Sequence, residues 1–105
     1  MGDVAVRQGN WVGISLMVSE ETEAAVGMIG EQFPDAKIDF RDCFYKVERD
    51  GYLAFDMDEL SERVGRDVPT NIFLVNMSSY YGRINVSDTT VELFPEAAPE
   101  ALKVR

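Results

Sequence analysis

Residues 73–84 read FLVNMSSYYGRI and carry the strongest structural signal in the chain. Because side chains alternate along a strand, the apolar ones are expected on one face, namely Phe73, Val75 and Met77. Asn76 and Ser78 are expected together on the other face, and Gly82 suits a turn with positive φ. The sequence therefore predicts a rigid strand that presents a polar and aromatic surface, a composition typical of protein–protein contacts.

Outward from this stretch, apolar periodicity predicts further strands and two helices. The predicted strands are 11–18, 37–41, 43–48, 52–57, 71–78, 83–87 and 89–94. Ser19 should cap the first helix, which should stop before Pro34. Asp58 should cap the second helix, with Leu60 and Val64 facing the core and Gly65 ending it.

The order of these elements, β-α-β-β-β-α-β-β-β, predicts an α+β fold with mainly antiparallel pairing. Arg49-Asp50-Gly51 predicts a hairpin that joins the strand at 43–48 to the strand at 52–57. Phe40 and Cys43 are expected to point into the core. We expect one compact domain at residues 11–94, a flexible lead at 1–10 and a Pro- and Ala-rich tail at 95–105.

Composition narrows the classes of function. The chain has 105 residues, a net charge of −9, no histidine and one cysteine. The negative charge argues against nucleic-acid binding, and the apolar runs are too short to predict a membrane span. The lone Cys43 and the absence of a signal-peptide pattern favour a cytoplasmic location. Without histidine we expect no cofactor, no metal and no catalytic site.

A cluster of carboxylates, at Asp56, Asp58, Glu59 and Glu62, could indicate a cation site. The glycine and the final glutamate that an EF-hand loop needs are not at the corresponding positions. We interpret the cluster as the solvated first turn of a capped helix.

Several short motifs follow one another in a recognisable order along the chain. Val64-Gly65-Arg66 ends the second helix, an apolar strand follows, and Ser78-Ser79 and Gly82-Arg83 come next. Taken together, this order and spacing resemble the coupling (effector) proteins of soluble di-iron monooxygenases. That family includes methane monooxygenase component B and the regulatory proteins of phenol hydroxylase and toluene monooxygenase. Weaker similarity extends from about Trp11 to Phe94.

The resemblance implies a regulatory protein without activity of its own. Such a protein binds the hydroxylase component, tunes its di-iron active site and couples NADH-derived electrons to hydrocarbon oxidation. A reductase and a ferredoxin act in the same system, and the free protein is expected to be monomeric. The resemblance implies that the hydroxylase-binding residues are Asn76, Ser78, Ser79, Tyr80, Tyr81, Arg83 and Arg66. Gly65 and Gly82 are expected to have conformational roles.

Some features depart from the family pattern or leave alternatives open. The N-terminal lead is short, Val68-Pro69 replaces an aromatic residue, and Tyr80-Tyr81 are bulky. Arg66 and Arg83 could each bind a partner or form an internal ion pair. Other function classes remain: a small carboxylate-based enzyme, or an adaptor or inhibitor of an unrelated protein.

Overall fold

The computed structural model describes residues 10–96, which form two antiparallel sheets and three helices. The strands are β1 Trp11–Met17, β2 Lys37–Arg41, β3 Phe44–Asp50, β4 Leu53–Asp56, β5 Met77–Tyr81, β6 Arg83–Val86 and β7 Thr90–Phe94. The helices are α1 Glu20–Gln32, α2 Met57–Val64 and α3 Thr70–Leu74. This architecture confirms the predicted α+β class. The expected lead and tail lie almost wholly outside the described residues.

The two sheets enclose the core together with α1 and α2. The first sheet has the strand order β2-β3-β1-β5, and the second has the order β4-β7-β6. Helix α1 packs on α2, β3 and β4. The largest fully buried side chains are Phe55, Phe73, Ile14, Leu16, Met28, Ile29, Leu53, Leu60, Leu93, Val12, Val47 and Val68. The odd-numbered side chains of β1 therefore face away from this core.

The two longer helices begin at side-chain caps. Ser19 Oγ accepts a hydrogen bond from the Thr22 N–H at 3.0 Å, as predicted for α1. The expected cap of α2 at Asp58 is wrong, because Asp56 Oδ1 accepts from the Asp58 N–H at 2.9 Å. Asp56 ends β4 in an extended conformation, which is the conformation an N-cap requires. Within residues 10–96, no helix combines the length and apolar character needed to cross a membrane.

The predicted strand at 71–78 is wrong in its first half. Residues 70–74 form helix α3, and the chain turns through Val75 and Asn76 before β5 begins at Met77. Phe73 is fully buried, with its ring centroid 5.2 Å from that of Phe55. Val75 is exposed, so these two side chains do not share a strand face. A short apolar run does not distinguish one helical turn from a buried strand.

The predicted hairpin at residues 49–51 is also wrong. Strand β4 pairs with β7 in the second sheet, whereas β3 pairs with β1 and β2 in the first. Gly51 does adopt a positive φ of 117°, but its turn carries the chain between sheets. Here an Asp-Gly turn therefore joins two strands that lie in different sheets.

A hairpin does occur one strand earlier, and its turn leaves two side chains exposed that were expected in the core. Strands β2 and β3 are joined through Asp42, which has a φ of 55°, and Cys43. Cys43 is exposed in this turn, so its predicted place in the core is wrong. Phe40 is also exposed, and its ring lies 5.1 Å from that of Tyr45 at the open edge of the sheet.

Candidate functional site

The candidate site is built on β5, the last strand in the order of the first sheet. We call residues 76–81 the edge segment. Ser79 pairs with Ser15, whereas Met77 pairs with Leu16, so the register shifts and Ser78 is the extra residue of a β-bulge. Bulges bend a strand and redirect its side chains, and they are common beside functional surfaces.

Three consecutive side chains of the edge segment face outward: Ser78, Ser79 and Tyr80. Ser78 Oγ donates a hydrogen bond to the Ser15 carbonyl at 3.4 Å. Tyr80 lies opposite Ile14, so it points to the other face of the sheet from Ser79. A partner that approaches the strand edge can therefore reach hydroxyl groups from both faces.

Tyr81 is held within the sheet. It forms a row with Gly13 on β1 and Glu48 on β3, because both residues pair directly with Gly13. The Tyr81 hydroxyl donates to Glu48 Oε2 at 2.6 Å, and Lys46 Nζ lies 3.8 Å from the same oxygen. We call Tyr81, Gly13 and Glu48 the cross-sheet row.

Only a glycine fits at the centre of the cross-sheet row. A Cβ atom at Gly13 would lie 2.2 Å from Tyr81 Cε1, far inside van der Waals contact. The bare backbone lets the tyrosine ring lie across β1 and reach the buried carboxylate of Glu48. Tyr81 therefore positions the edge segment more than it extends its outer surface.

Asn76 anchors the start of the edge segment. Its Nδ2 donates to the Phe73 carbonyl at 3.2 Å, and its own carbonyl accepts from the Met17 N–H at 2.7 Å. It belongs to the turn after α3, so the prediction that it shares a strand face with Ser78 is wrong. The turn is thereby tied to the end of β1.

The two arginines of the predicted site lie apart from each other. Arg66 Nη2 contacts Glu20 Oε1 and Glu21 Oε2, both at 2.8 Å, so it forms an internal ion pair with the first turn of α1. Arg83 is exposed at the start of β6, opposite Phe94 in the second sheet. The structure thus groups Ser78, Ser79 and Tyr80, with Arg83 just beyond Gly82.

The two glycines of the predicted site both have left-handed backbones. Gly65 ends α2 with a φ of 91°, and its N–H donates to the Ser61 carbonyl. Gly82 has a φ of 101°, and a Cβ there would lie 2.9 Å from the Phe94 carbonyl oxygen. Gly82 therefore allows the chain to pass directly from β5 in the first sheet to β6 in the second.

Sequence reasoning missed the exposed apolar side chains beside the edge segment. Met17, Val18, Ile72 and Val75 are all exposed. A signal was available in the uncharged run at residues 68–82, which is unusual in a chain with 28% charged residues. The sequence pattern also did not reveal Gly13 and Glu48, because their roles depend on pairing between strands that are distant in the chain.

A shallow hollow of about 450 Å³ lies between α3 and the β6–β7 turn. Its walls include Thr70, Leu74 and Val86. Within residues 10–96, no group of three or more cysteine, aspartate or glutamate side chains is arranged to hold a metal ion.

Comparison with solved structures shows which known proteins share this fold. A chain in a structure of the phenol hydroxylase–regulatory protein complex is 20% identical, with a TM-score of 0.72, and covers 80% of this chain and 97% of its own. A second structure of that complex also matches at 20% identity, with a TM-score of 0.68, and covers 80% of this chain and 98% of its own. The structure of the soluble methane monooxygenase regulatory protein B is 23% identical, with a TM-score of 0.67, and covers 94% of this chain and 74% of its own.

Sequence comparison identifies the family. No curated protein sequence matches the chain. A sequence model of the MmoB/DmpM family matches residues 10–94, which is most of the chain and includes every described element. The chain therefore belongs to the MmoB/DmpM family.

Proposed function

We propose that this chain is the non-catalytic regulatory (effector) component of a multicomponent soluble di-iron monooxygenase. Its partner is the hydroxylase component, and its role is to couple NADH-derived electrons to hydrocarbon oxidation in the cytoplasm. Membership of the MmoB/DmpM family supports this proposal, as do the regulatory proteins named among the similar structures.

The observation that carries the proposal is the edge segment. Its outward side chains are uncharged hydroxyl-bearing residues on a backbone fixed by the cross-sheet row and by the Asn76 turn. A rigid surface of this kind can bind another protein with a small loss of conformational entropy. Ser78, Ser79 and Tyr80 are the proposed contacts, and Asn76 and Tyr81 position them.

A protein that brings no cofactor can regulate an enzyme only by binding one of its conformations more tightly than another. A tenfold shift between two hydroxylase conformations requires about 1.4 kcal/mol of differential affinity. An interface of roughly 1,600 Å², the standard size, is large enough to supply that difference. Arg83 lies beside the edge segment and is a proposed rim contact. Arg66 is not among the proposed contacts, because its guanidinium is already paired with Glu20 and Glu21 in the first turn of α1.

The experiment is a reconstitution of hydroxylase, reductase and this chain. The hydroxylase is first identified by affinity capture from the native cells, as a partner subunit with paired Glu-x-x-His motifs. Adding the wild-type chain should change the turnover rate, the product distribution or the fraction of NADH coupled to product. The chain alone should show no turnover.

The same assay, carried out with a triple variant, tests the role of the edge segment. The triple variant Ser78→Ala, Ser79→Ala, Tyr80→Ala should keep its fold and lose most of the regulatory effect. Phe40→Ala is the matched control, because it removes an exposed aromatic side chain from the opposite edge strand. Wild-type behaviour of the triple variant at every concentration would exclude the edge segment, and turnover by the chain alone would contradict the regulatory role.

A further inference from the structure

Four apolar side chains are exposed at one end of the first sheet and beside it. They are Met17, Val18, Ile72 and Val75, and we call them the apolar ridge. Val75 is 77% exposed, the largest fraction among the exposed large hydrophobic residues of the described chain. A single exposed apolar side chain is ordinary, whereas several of them in one patch indicate an interaction surface.

Backbone hydrogen bonds bring the members of the apolar ridge together. The Met17 N–H donates to the Asn76 carbonyl at 2.7 Å, which places the end of β1 beside the residue after Val75. The Val75 N–H donates to the Ile72 carbonyl at 3.3 Å, so these two residues are one helical turn apart. Val18 follows Met17 and donates to the Cys43 carbonyl at 3.0 Å. The apolar ridge therefore borders the edge segment directly.

The charge pattern distinguishes this region from the remaining surface. Residues 10–19 and 68–82 contain no charged side chain, although the chain carries a net charge of −9. Pairing of β1 with β5 places these two uncharged stretches side by side. The centres of protein interfaces are depleted of charge because a buried charge must lose its hydration. The pattern matches the buried centre of a protein interface.

Contacts within the chain do not explain why position 75 carries an apolar side chain. Its neighbours Phe73 and Leu74 do contact the core, and Phe73 is completely buried. Val75 itself forms the C-terminal end of α3, where its backbone supplies the hydrogen bonds and its side chain points to solvent. A partner would gain apolar contact here without any rearrangement of the core.

We infer that the apolar ridge is the desolvated centre of the surface that the hydroxylase buries, with Val75 as its main anchor. This inference rests on the proposed function. The hydroxylase is the occupant because the ridge is continuous with the edge segment, whose polar side chains form the adjoining part of the surface. A second copy of this chain is disfavoured, since association would bring together two molecules of net charge −9.

The test compares two neutral substitutions, Val75→Gln and Phe40→Gln. Both remove an exposed apolar side chain and leave the net charge unchanged, but Phe40 is on β2, at the opposite edge of the sheet. Each purified variant is titrated calorimetrically against the purified hydroxylase. Val75→Gln should weaken binding by about tenfold or more and make the heat-capacity change of binding less negative. Phe40→Gln should bind like the wild type, and thermal unfolding of Val75→Gln should be unchanged.

The outcomes separate this inference from the proposed function. Wild-type affinity of Val75→Gln, with normal binding by the wild type, would overturn the ridge and leave the regulatory role intact. Failure of the wild type to bind the hydroxylase would overturn both. Sedimentation of the free protein should show a monomer. If it showed a dimer that Val75→Gln abolishes, and the affinity for the hydroxylase were unaffected, the ridge would bind a second copy and the inference would be wrong.

Discussion

The helical face made by α1 and α2 and the region made by α3 and β5 use their polar side chains in opposite ways. On the helical face, charged side chains form ion pairs with one another. Arg63 contacts Glu31 and Glu59, and Gln32 Nε2 donates to Glu59 Oε1 at 2.6 Å. The hydrogen bond from Arg63 holds the pKa of Glu31 below its usual range.

The α3–β5 region has no charged side chain and exposes apolar and hydroxyl groups. Its backbone is nonetheless held firmly, by the Asn76 turn on one side and by the cross-sheet row on the other. A well-fixed backbone combined with exposed side chains that the fold does not use is what we expect of a surface that binds a partner.

The largest expected effect comes from the core beneath the helical face. Leu60 is fully buried on α2, so Leu60→Ala should lower the free energy of unfolding by about 2–5 kcal/mol. Ser79→Ala, on the edge segment, should change it by less than about 0.5 kcal/mol, because the side chain is exposed. Chemical denaturation of both variants measures the two values. Equal losses would mean that Ser79 is a structural residue and would remove it from the proposed contact surface.

Two glycine-to-alanine substitutions, one on β1 beside the edge segment and one in α1, should change the stability of the protein in opposite directions. Gly13→Ala forces a Cβ into the Tyr81 ring and should cost about 1–3 kcal/mol of stability. Gly27→Ala, in α1, meets only Arg63 Nη1 at 3.7 Å and should stabilise the protein by roughly 0.5–1 kcal/mol. Thermal and chemical unfolding give both values.

A double-mutant cycle tests whether Tyr81 causes the Gly13 penalty. In a Tyr81→Ala background, Gly13→Ala should cost much less, because the ring that it meets is gone. An unchanged cost would show that the cross-sheet row does not act as described.

The last expected effect appears only at alkaline pH. Burial, followed by the hydrogen bond to Glu92, raises the pKa of Tyr52 to about 12. Because the folded pKa lies above the ordinary value of about 10, Tyr52 contributes stability below pH 10. That contribution is lost as the pH rises from 10 towards 12, since the unfolded chain ionises first. The melting temperature should fall across this range less steeply in Tyr52→Phe than in the wild type, and equal slopes would contradict the assignment.

The elements that could be predicted from the sequence are those with enough residues to show a period. Strand β1 alternates over seven residues, and α1 has a capping serine, an apolar stripe and a proline beyond its end. Helix α3 has only five residues, too few to establish a helical period, so its apolar run predicts a strand. The Asp50-Gly51 turn was identified, but turn chemistry does not specify which strand the chain joins next.

The site was predictable only in part, for a similar reason. The edge segment is continuous in sequence, and the motif order that resembles the family includes it. The cross-sheet row unites Gly13, Glu48 and Tyr81, which are far apart in the chain and meet only through strand pairing. The exposure of Val75 depended on the helix that the sequence pattern did not reveal. Predicting these features requires knowledge of the strand register and of helix α3.

The most direct test of the account is hydrogen–deuterium exchange of this chain, free and bound to the hydroxylase. Amides of residues 71–81 and of the end of β1 should exchange more slowly in the complex, while those on the outer faces of α1 and α2 should keep their free rates. That result would place the partner on the uncharged region and leave the ion-paired face in solvent. Protection confined to α1 and α2, with residues 71–81 unchanged, would contradict the central claim.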